Sequence, residues 1–216
     1  MKPGIIFDMD GTLWDSAAPV ARSWTETIKR EGYDGPVLSE ADIMRVMGMT
    51  MEAIADKLFA PLEKAERTRL MHVCGEEENA YLEKHGGMLY PKLEETLTVL
   101  SKQYPLYIVS NCQSGYIEAF LSHYGFGHFF SDILCYGDNL KRKAENISIL
   151  AKRNGLERAY YVGDIQADYD ATVEAGYDFI HAGYGFGSIA SEVPFIKEFA
   201  ELPALLEKLE RKRSDI

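Results

Sequence analysis

Two carboxylates two positions apart, Asp8 and Asp10, stand directly behind the apolar residues Ile5, Ile6 and Phe7 and ahead of Gly11 and Thr12. Such an apolar run predicts the end of a strand buried on both faces, and the glycine predicts a turn. Neighbouring carboxylates repel, and a fold that keeps such a pair offsets the cost, most often with a divalent cation. The competing reading is a strand that ends in an ordinary Asp-Gly turn. Further polar clusters weigh against it. Ser110-Asn111 follows the apolar run Leu106-Tyr107-Ile108-Val109, and Gly163-Asp164 follows Tyr160-Tyr161-Val162, with Asp168 shortly beyond. Lys143 stands between them at the start of a predicted helix, with Lys141 and Arg142 beside it. In an open parallel sheet, ligands bind outside the carboxyl ends of the strands. A hydroxyl, a lysine and several carboxylates at one such edge can hold a metal ion and a phosphoryl group together.

Periodicity supplies the elements that must position these residues. Past residue 87, helix-like and strand-like segments alternate. Leu93, Leu97 and Leu100 stripe a helix ahead of the strand at 106–109. Ser114 is a candidate cap for a helix carrying Ile117, Phe120, Leu121 and Tyr124 and closed by Gly125. Residues 132–136 read as strand, and Ile147, Leu150 and Ala151 lie on a helix that ends at Asn154-Gly155. Residues 160–162 form the next strand, residues 167–175 a helix, and Phe179-Ile180 another strand. Pro203 opens the last helix, with Leu205, Leu206 and Leu209 on its apolar face. The alternation predicts an α/β fold, a Rossmann-like doubly wound parallel sheet with helices on both faces.

Residues 16–85 interrupt the pattern. Val20, Trp24 and Ile28 stripe one helix, Ser39 with Asp42 resembles a capping box for a second, and Ile54, Ala55, Leu58 and Phe59 mark a third. The charged stretch 63–84 reads as a fourth, ending at Gly86-Gly87. The expected organisation is a core of residues 1–15 and 86–216 with an all-helical domain, residues 16–85, inserted after the first strand.

Composition narrows the function classes. With 216 residues, 46% hydrophobic and 26% charged, the chain reads as an ordinary soluble globular protein. A net charge of −11 offers no basic footprint for nucleic acid or an anionic membrane. An anionic substrate would therefore need local positive charge or a metal. Three cysteines, Cys74, Cys112 and Cys135, lack metal-ligand spacing and suit a reducing cytosol. The first apolar stretch meets Asp8 too soon for a secretory signal, and no stretch is long enough to span a membrane. The expected location is cytoplasmic.

In order and spacing, these clusters resemble the motifs of the haloacid dehalogenase superfamily, in its phosphoglycolate phosphatase-like group with a helical cap. Asp8-Met9-Asp10-Gly11-Thr12-Leu13 matches the first motif, Ser110-Asn111 the second, and Lys143 the third. Gly163-Asp164-Ile165-Gln166-Ala167-Asp168 matches the fourth. Ala144 stands where a proline often follows the third-motif lysine, and Lys141 stays open as the alternative lysine. The resemblance implies a magnesium-dependent phosphatase acting on a small phosphorylated metabolite, such as phosphoglycolate or a sugar or nucleotide phosphate. Asp8 would be the nucleophile that forms an aspartyl-phosphate, and Asp10 the general acid and base. Asp8, the backbone carbonyl of Asp10, and Asp164 would hold Mg²⁺. Ser110, Asn111 and Lys143 would bind the phosphoryl group, with Thr12 in support and Asp168 orienting Lys143 or metal-bound water. A phosphosugar mutase of the β-phosphoglucomutase type shares these residues. A non-enzymatic phosphate-binding α/β module is a third reading, weakened by the insert and the Asp-x-Asp spacing. The expected partner is the metabolite alone, not nucleic acid or membrane, on a monomer or weak homodimer.

The remaining residues read more plainly. Arg45, with Gly48 nearby, is a candidate for an anionic part of the substrate, against the reading of an ordinary exposed arginine. Asp15 and Ser16 look like an N-cap. Gly183-Tyr184-Gly185-Phe186-Gly187 is expected to form a flexible loop beside the site rather than a phosphate cradle. Cys112 reads as small buried filler, and Trp24 and the insert's methionines as core.

Overall fold

The computed structural model describes residues 2–35 and 37–214. In chain order it begins with β1 (Gly4–Phe7), β2 (Trp14–Asp15), α1 (Ala17–Arg30), α2 (Glu40–Met44), α3 (Met51–Leu58) and α4 (Lys64–His85). There follow β3 (Met88–Leu89), α5 (Leu93–Ser101), β4 (Leu106–Ser110), α6 (Tyr116–Tyr124), β5 (Phe130–Cys135) and α7 (Tyr136–Asn139). The chain closes with α8 (Lys143–Arg153), β6 (Ala159–Gly163), α9 (Gln166–Ala175), β7 (Asp178–Ala182), β8 (Phe195–Ile196) and α10 (Leu202–Ser214).

Every residue of β1 is buried, so the strand needs a partner on each edge and a layer on each face. The edges are taken by β4 and β6, with Ile6 opposite Tyr107 on one side and Tyr161 on the other. The sheet has six parallel strands in the order β5-β4-β1-β6-β7-β8. Side chains alternate between its faces. Ile5, Phe7, Ile108 and Val162 pack with Leu97 of α5, Phe120 of α6 and Leu206 of α10. Ile6, Tyr107, Val109 and Tyr161 pack with Ile147 and Leu150 of α8 on the other face. The expected doubly wound α/β fold is therefore the fold observed.

From β1 the chain moves outward to β4 and β5, then returns to lay β6 against the opposite edge of β1. The reversal puts the topological switch point between β1 and β6, where such sheets form their ligand crevice. Asp8 and Asp164 are the residues that follow those two strands.

Helices α1 to α4 lie between β2 and β3, which pair antiparallel with Trp14 opposite Leu89 and Asp15 opposite Met88. Two-residue strands are too short to show periodicity, and the sequence did not suggest them. The capping box at α2 is present: Asp42 N–H donates to Ser39 Oγ at 3.3 Å, and Ser39 N–H to Asp42 Oδ2 at 2.9 Å. Val20 and Trp24 of α1 and Leu70, Cys74 and Leu82 of α4 belong to the same buried cluster as Ile5 and Phe7. The apolar faces of these helices are thus continuous with the sheet's core. No described helix is long and apolar enough to cross a membrane.

Local expectations shift at three places. Ser114 does not cap α6, because its carbonyl accepts from Asn79 of α4 at 2.9 Å and Gly115, at φ 89°, takes the cap position. The strand expected at 132–136 runs from Phe130 to Cys135, since Tyr136 already begins a helical turn. The last helix starts at Leu202, one residue before Pro203.

Candidate active site

Asp8 follows β1 and is 3% exposed, its backbone N–H still donating to the Val162 carbonyl of β6 at 2.9 Å. That last ladder bond fixes where the carboxylate leaves the sheet. Lys143 opens α8 and is also buried. Its Nζ donates to Asp8 Oδ1 at 2.9 Å and to Asp168 Oδ1 at 2.6 Å. Asp168, in the first turn of α9, turns Oδ2 back to the N–H groups of Asp164 at 3.1 Å and Ile165 at 3.3 Å. One carboxylate thus binds the start of its own helix and aims the lysine. Between the two lysines left open by the sequence, the geometry brings Lys143 to Asp8. Lys141 is exposed and lies 3.8 Å from Glu145. Burial raises the Asp8 carboxyl above its ordinary value while Lys143 pulls against it. Burial also opposes the charge on Lys143, but the flanking Asp168 and Asp8 outweigh it and hold the ammonium well above its ordinary value.

Asp164 follows β6 and is surrounded at close range by glycine. A Cβ on Gly11, whose φ is +78°, would lie 2.1 Å from Asp164 Oδ2. A Cβ on Gly185 would lie 2.4 Å from both the Asp164 Cβ and the Gly11 carbonyl oxygen. That closeness lets Phe186 N–H donate to Asp164 Oδ2 at 2.7 Å. The Tyr184 hydroxyl donates to the Thr12 carbonyl at 2.8 Å. The segment expected to be flexible does lie beside the site, but it is tethered to both motifs. Burial, with added repulsion from Asp168 and Asp8, pushes Asp164 up to about 8. Asp8, Asp164 and Asp168 each offer an oxygen within 4.8 Å of the others. Three buried carboxylates share one ammonium, an excess of negative charge that a hard divalent cation with oxygen ligands would balance.

Asp10 turns elsewhere. Its Oδ1 accepts from the Ser16 hydroxyl at 2.6 Å and the Tyr116 hydroxyl at 2.7 Å, which stand 2.8 Å apart. Burial raises its carboxyl above the ordinary value even so. Of the cap expected at Asp15 and Ser16, Ser16 holds the N-cap position without a side-chain cap bond. Asp15 Oδ1 takes the Ala17 N–H at 2.9 Å, and the serine hydroxyl serves Asp10 instead. Sequence reasoning missed Tyr116 as well, because one aromatic in an apolar helix stripe carries no signal of its own.

Asp8, Asp10 and Ser110 line a cavity of ≈ 450 Å³, its open mouth included, which Val20, Trp24 and Glu78 also line. Ser110 Oγ accepts from Cys112 N–H at 3.3 Å, so this residue turns the chain as well as facing the cavity. Asn111 Nδ2 donates to the Gly48 carbonyl at 2.8 Å, which ties the side chain across to the helical insert, and its Oδ1 is buried without a partner. Thr12 is fully buried, and its Oγ1 also lacks a partner. Arg45 does not line this cavity. It is exposed, pairs with Asp42 at 2.8 Å, and lines a separate groove with Tyr90, Tyr184 and Phe186. Trp24 and Met71 are buried as expected of core, but Met47, Met49 and Met51 are half-buried and line the cavity, as Trp24 also does. Cys112, expected as buried filler, is half-buried and lines the cavity, though burial and the neighbouring Cys135 push its thiol well up.

A profile of the family described as haloacid dehalogenase-like hydrolase matches residues 5–182. The chain belongs to the haloacid dehalogenase-like hydrolases. Among similar proteins, the phosphoglycolate phosphatase of Vibrio cholerae serotype O1 is 29% identical over 222 residues, covering 94% of this chain and 95% of its own. The phosphoglycolate phosphatase of Aliivibrio fischeri is 30% identical over 198 residues, covering 84% of each chain. A haloacid dehalogenase-like hydrolase from Streptococcus pneumoniae of known structure superposes with a TM-score of 0.79 at 26% identity, covering 94% of this chain and 97% of that one.

Sequence reasoning on this hydrolase also passed over Glu78. It lies within α4, is 3% exposed, and its Oε2 accepts from Trp24 Nε1 at 2.7 Å and Gln113 Nε2 at 3.2 Å. Burial pushes the carboxyl from 4.5 up to about 8 against the pull of those bonds. An acid raised on folding binds more protons folded than unfolded across that interval. Its contribution to stability is complete below the ordinary value and is lost as pH rises through about 8. Glu78→Gln removes this dependence. Thermal melts should show the variant gaining on the wild type as pH rises from mildly acidic to mildly alkaline. Parallel curves of Tm against pH would mean that Glu78 titrates as an exposed glutamate does.

Proposed function

We propose that this hydrolase is a magnesium-dependent phosphatase that cleaves a small-metabolite phosphomonoester through an aspartyl-phosphate on Asp8. The observation that carries the reading is the buried Asp8 carboxylate, held by Lys143 at 2.9 Å, in one cavity with Asp10. The names of the relatives, phosphoglycolate phosphatases, support the ester class.

Asp8 attacks phosphorus in line and the ester P–O bond breaks. Asp10, protonated at the start, gives its proton to the departing alkoxide. Water then attacks the phosphorus of the acyl phosphate while Asp10, now ionised, takes the water's proton. Inorganic phosphate leaves and both carboxyl groups are restored. The raised Asp10 carboxyl favours the protonated starting form, and the hydroxyls of Ser16 and Tyr116 hold its orientation. Ser110 hydrogen-bonds a phosphoryl oxygen, and Lys143 sets positive charge against the charge that develops there. Asp168 keeps Lys143 aimed, and the Thr12 turn supports the motif. Asp8, the Asp10 backbone carbonyl and Asp164 would hold the magnesium ion, which supplies positive charge against the phosphoryl oxygens. Residues 16–85 act as a cap that excludes water and admits compact substrates. A cytoplasmic protein whose partner is the metabolite alone fits this reading.

Inorganic phosphate release across a panel of small phosphate monoesters, with and without magnesium, tests the proposal. Release that needs magnesium is expected, and none from any ester would overturn it. In the same assay Asp10→Asn should lower turnover by ~10²–10⁴, the usual worth of a positioned acid and base. Magnesium binding should persist in this variant, because the proposed ligand is the carbonyl. An unchanged rate would remove Asp10 from the acid–base role.

A further inference from the structure

The cavity beside Asp8 is well supplied with hydrogen-bond acceptors and poor in free donors. Among the described residues, no lysine, arginine or histidine lines it. Each of its side-chain nitrogens already donates at least one bond: Trp24 Nε1 to Glu78, Gln113 Nε2 to Glu78 and Asn79, and Asn111 Nδ2 to the Gly48 carbonyl. The Tyr116 hydroxyl is committed to Asp10. Both bonds to Glu78 fall on Oε2, so Oε1 receives neither. Asn111 Oδ1 is buried with no partner at all. A buried acceptor such as Asn111 Oδ1 costs stability unless a donor reaches it.

We propose that Glu78 Oε1 and Asn111 Oδ1 select the leaving group, and that it is a compact, uncharged alcohol carrying a further hydroxyl and no carboxylate. The hydroxyl donates to Asn111 Oδ1 and accepts from Glu78, whose proton at neutral pH falls on Oε1 because Oε2 already takes two N–H bonds, while the carbon skeleton lies against Trp24 and Met47. The inference rests on the phosphatase reading and narrows its substrate. A carboxylate at this end would be buried near Glu78 and Asp10 with no cation to pair it, and an unpaired buried charge is strongly disfavoured. Arg45 lies on the separate groove and does not offset it. Neither protonation state of Glu78, which burial pushes up to about 8, supplies positive charge, and a substrate carboxylate has no proton to give Asn111 Oδ1. The substrate class therefore departs from phosphoglycolate, whose leaving group carries a carboxylate.

The test compares kcat/KM of the magnesium-loaded enzyme for hydroxyethyl phosphate, ethyl phosphate and phosphoglycolate, with acetyl phosphate as an activated control. The three esters share the CH₂ that bears the phosphate and differ only in the group it carries: hydroxymethyl, methyl or carboxylate. The wild type should favour hydroxyethyl phosphate about 10-fold over ethyl phosphate and about 10²-fold or more over phosphoglycolate. As pH rises through about 8 the second ratio should widen by about 10-fold in the wild type, mainly through KM, and stay level in Glu78→Gln, whose amide donates as the protonated acid does and gains no charge. Equal proportional losses on all esters would give Glu78 a structural role and overturn the inference. So would phosphoglycolate used as well as hydroxyethyl phosphate, a wild-type result that needs no folded variant. Hydrolysis of acetyl phosphate in either case leaves the phosphatase reading standing. No release from any compound, acetyl phosphate included, overturns that reading and this inference with it.

Discussion

Asp8→Asn should leave no turnover above background while the fold survives. The amide keeps the shape of the carboxylate, and Lys143 keeps its partner Asp168 at 2.6 Å, so no buried ammonium is stranded. The nucleophile is lost, since an amide oxygen does not form the acyl phosphate. The defect must exceed the ~10²–10⁴ expected of an acid–base variant, because the covalent route itself is closed. Phosphate release at saturating substrate, beside a thermal melt, checks both parts. Near-normal activity with an intact fold would remove Asp8 from the mechanism.

Excess chelator should abolish activity, and added magnesium should restore it. The argument is the charge of the crevice: Asp8, Asp164 and Asp168 lie within 4.8 Å of one another, with Lys143 as the ammonium bonded to two of them. An all-oxygen set with few protein ligands suits Mg²⁺, which keeps several waters and binds through one or two carboxylates plus substrate phosphate. Calcium should restore activity poorly, since its longer bonds and larger coordination number misplace the reacting groups. A second readout is independent of turnover. Magnesium should raise the Tm of the wild type by mass action and leave that of Asp164→Asn unchanged. Full activity in excess chelator would contradict the metal site.

The core and its strand ends were legible because buried parallel strands are written as short apolar runs. Ile5-Ile6-Phe7 and Leu106-Tyr107-Ile108-Val109 each stop at a polar residue that the fold brings to one crevice. Lys143 was harder. Three cationic residues in a row carry no sign of which one the first turn of α8 will bury, and the register of that helix decides it. Ser16, Tyr116 and Glu78 were not legible as site residues. Ser16 precedes a helix as any cap does, Tyr116 sits in an apolar stripe, and Glu78 lies in a highly charged helix. Each acquires its role from packing between the helical insert and the sheet, a relation between distant segments that no local pattern encodes. Arg45 shows the converse. A cation in the insert looked suited to an anionic substrate, but α2 turns it toward solvent and Asp42.

The most direct test of the central claim is to trap the enzyme during turnover. Wild-type protein mixed with a hydrolysed ester and magnesium, then quenched rapidly in acid, should carry one phosphoryl group. Peptide mapping by mass spectrometry should place it on Asp8, and Asp8→Asn treated identically should carry none. Phosphate release with no phosphoryl group on the quenched protein, or with the group on another residue, would contradict the account.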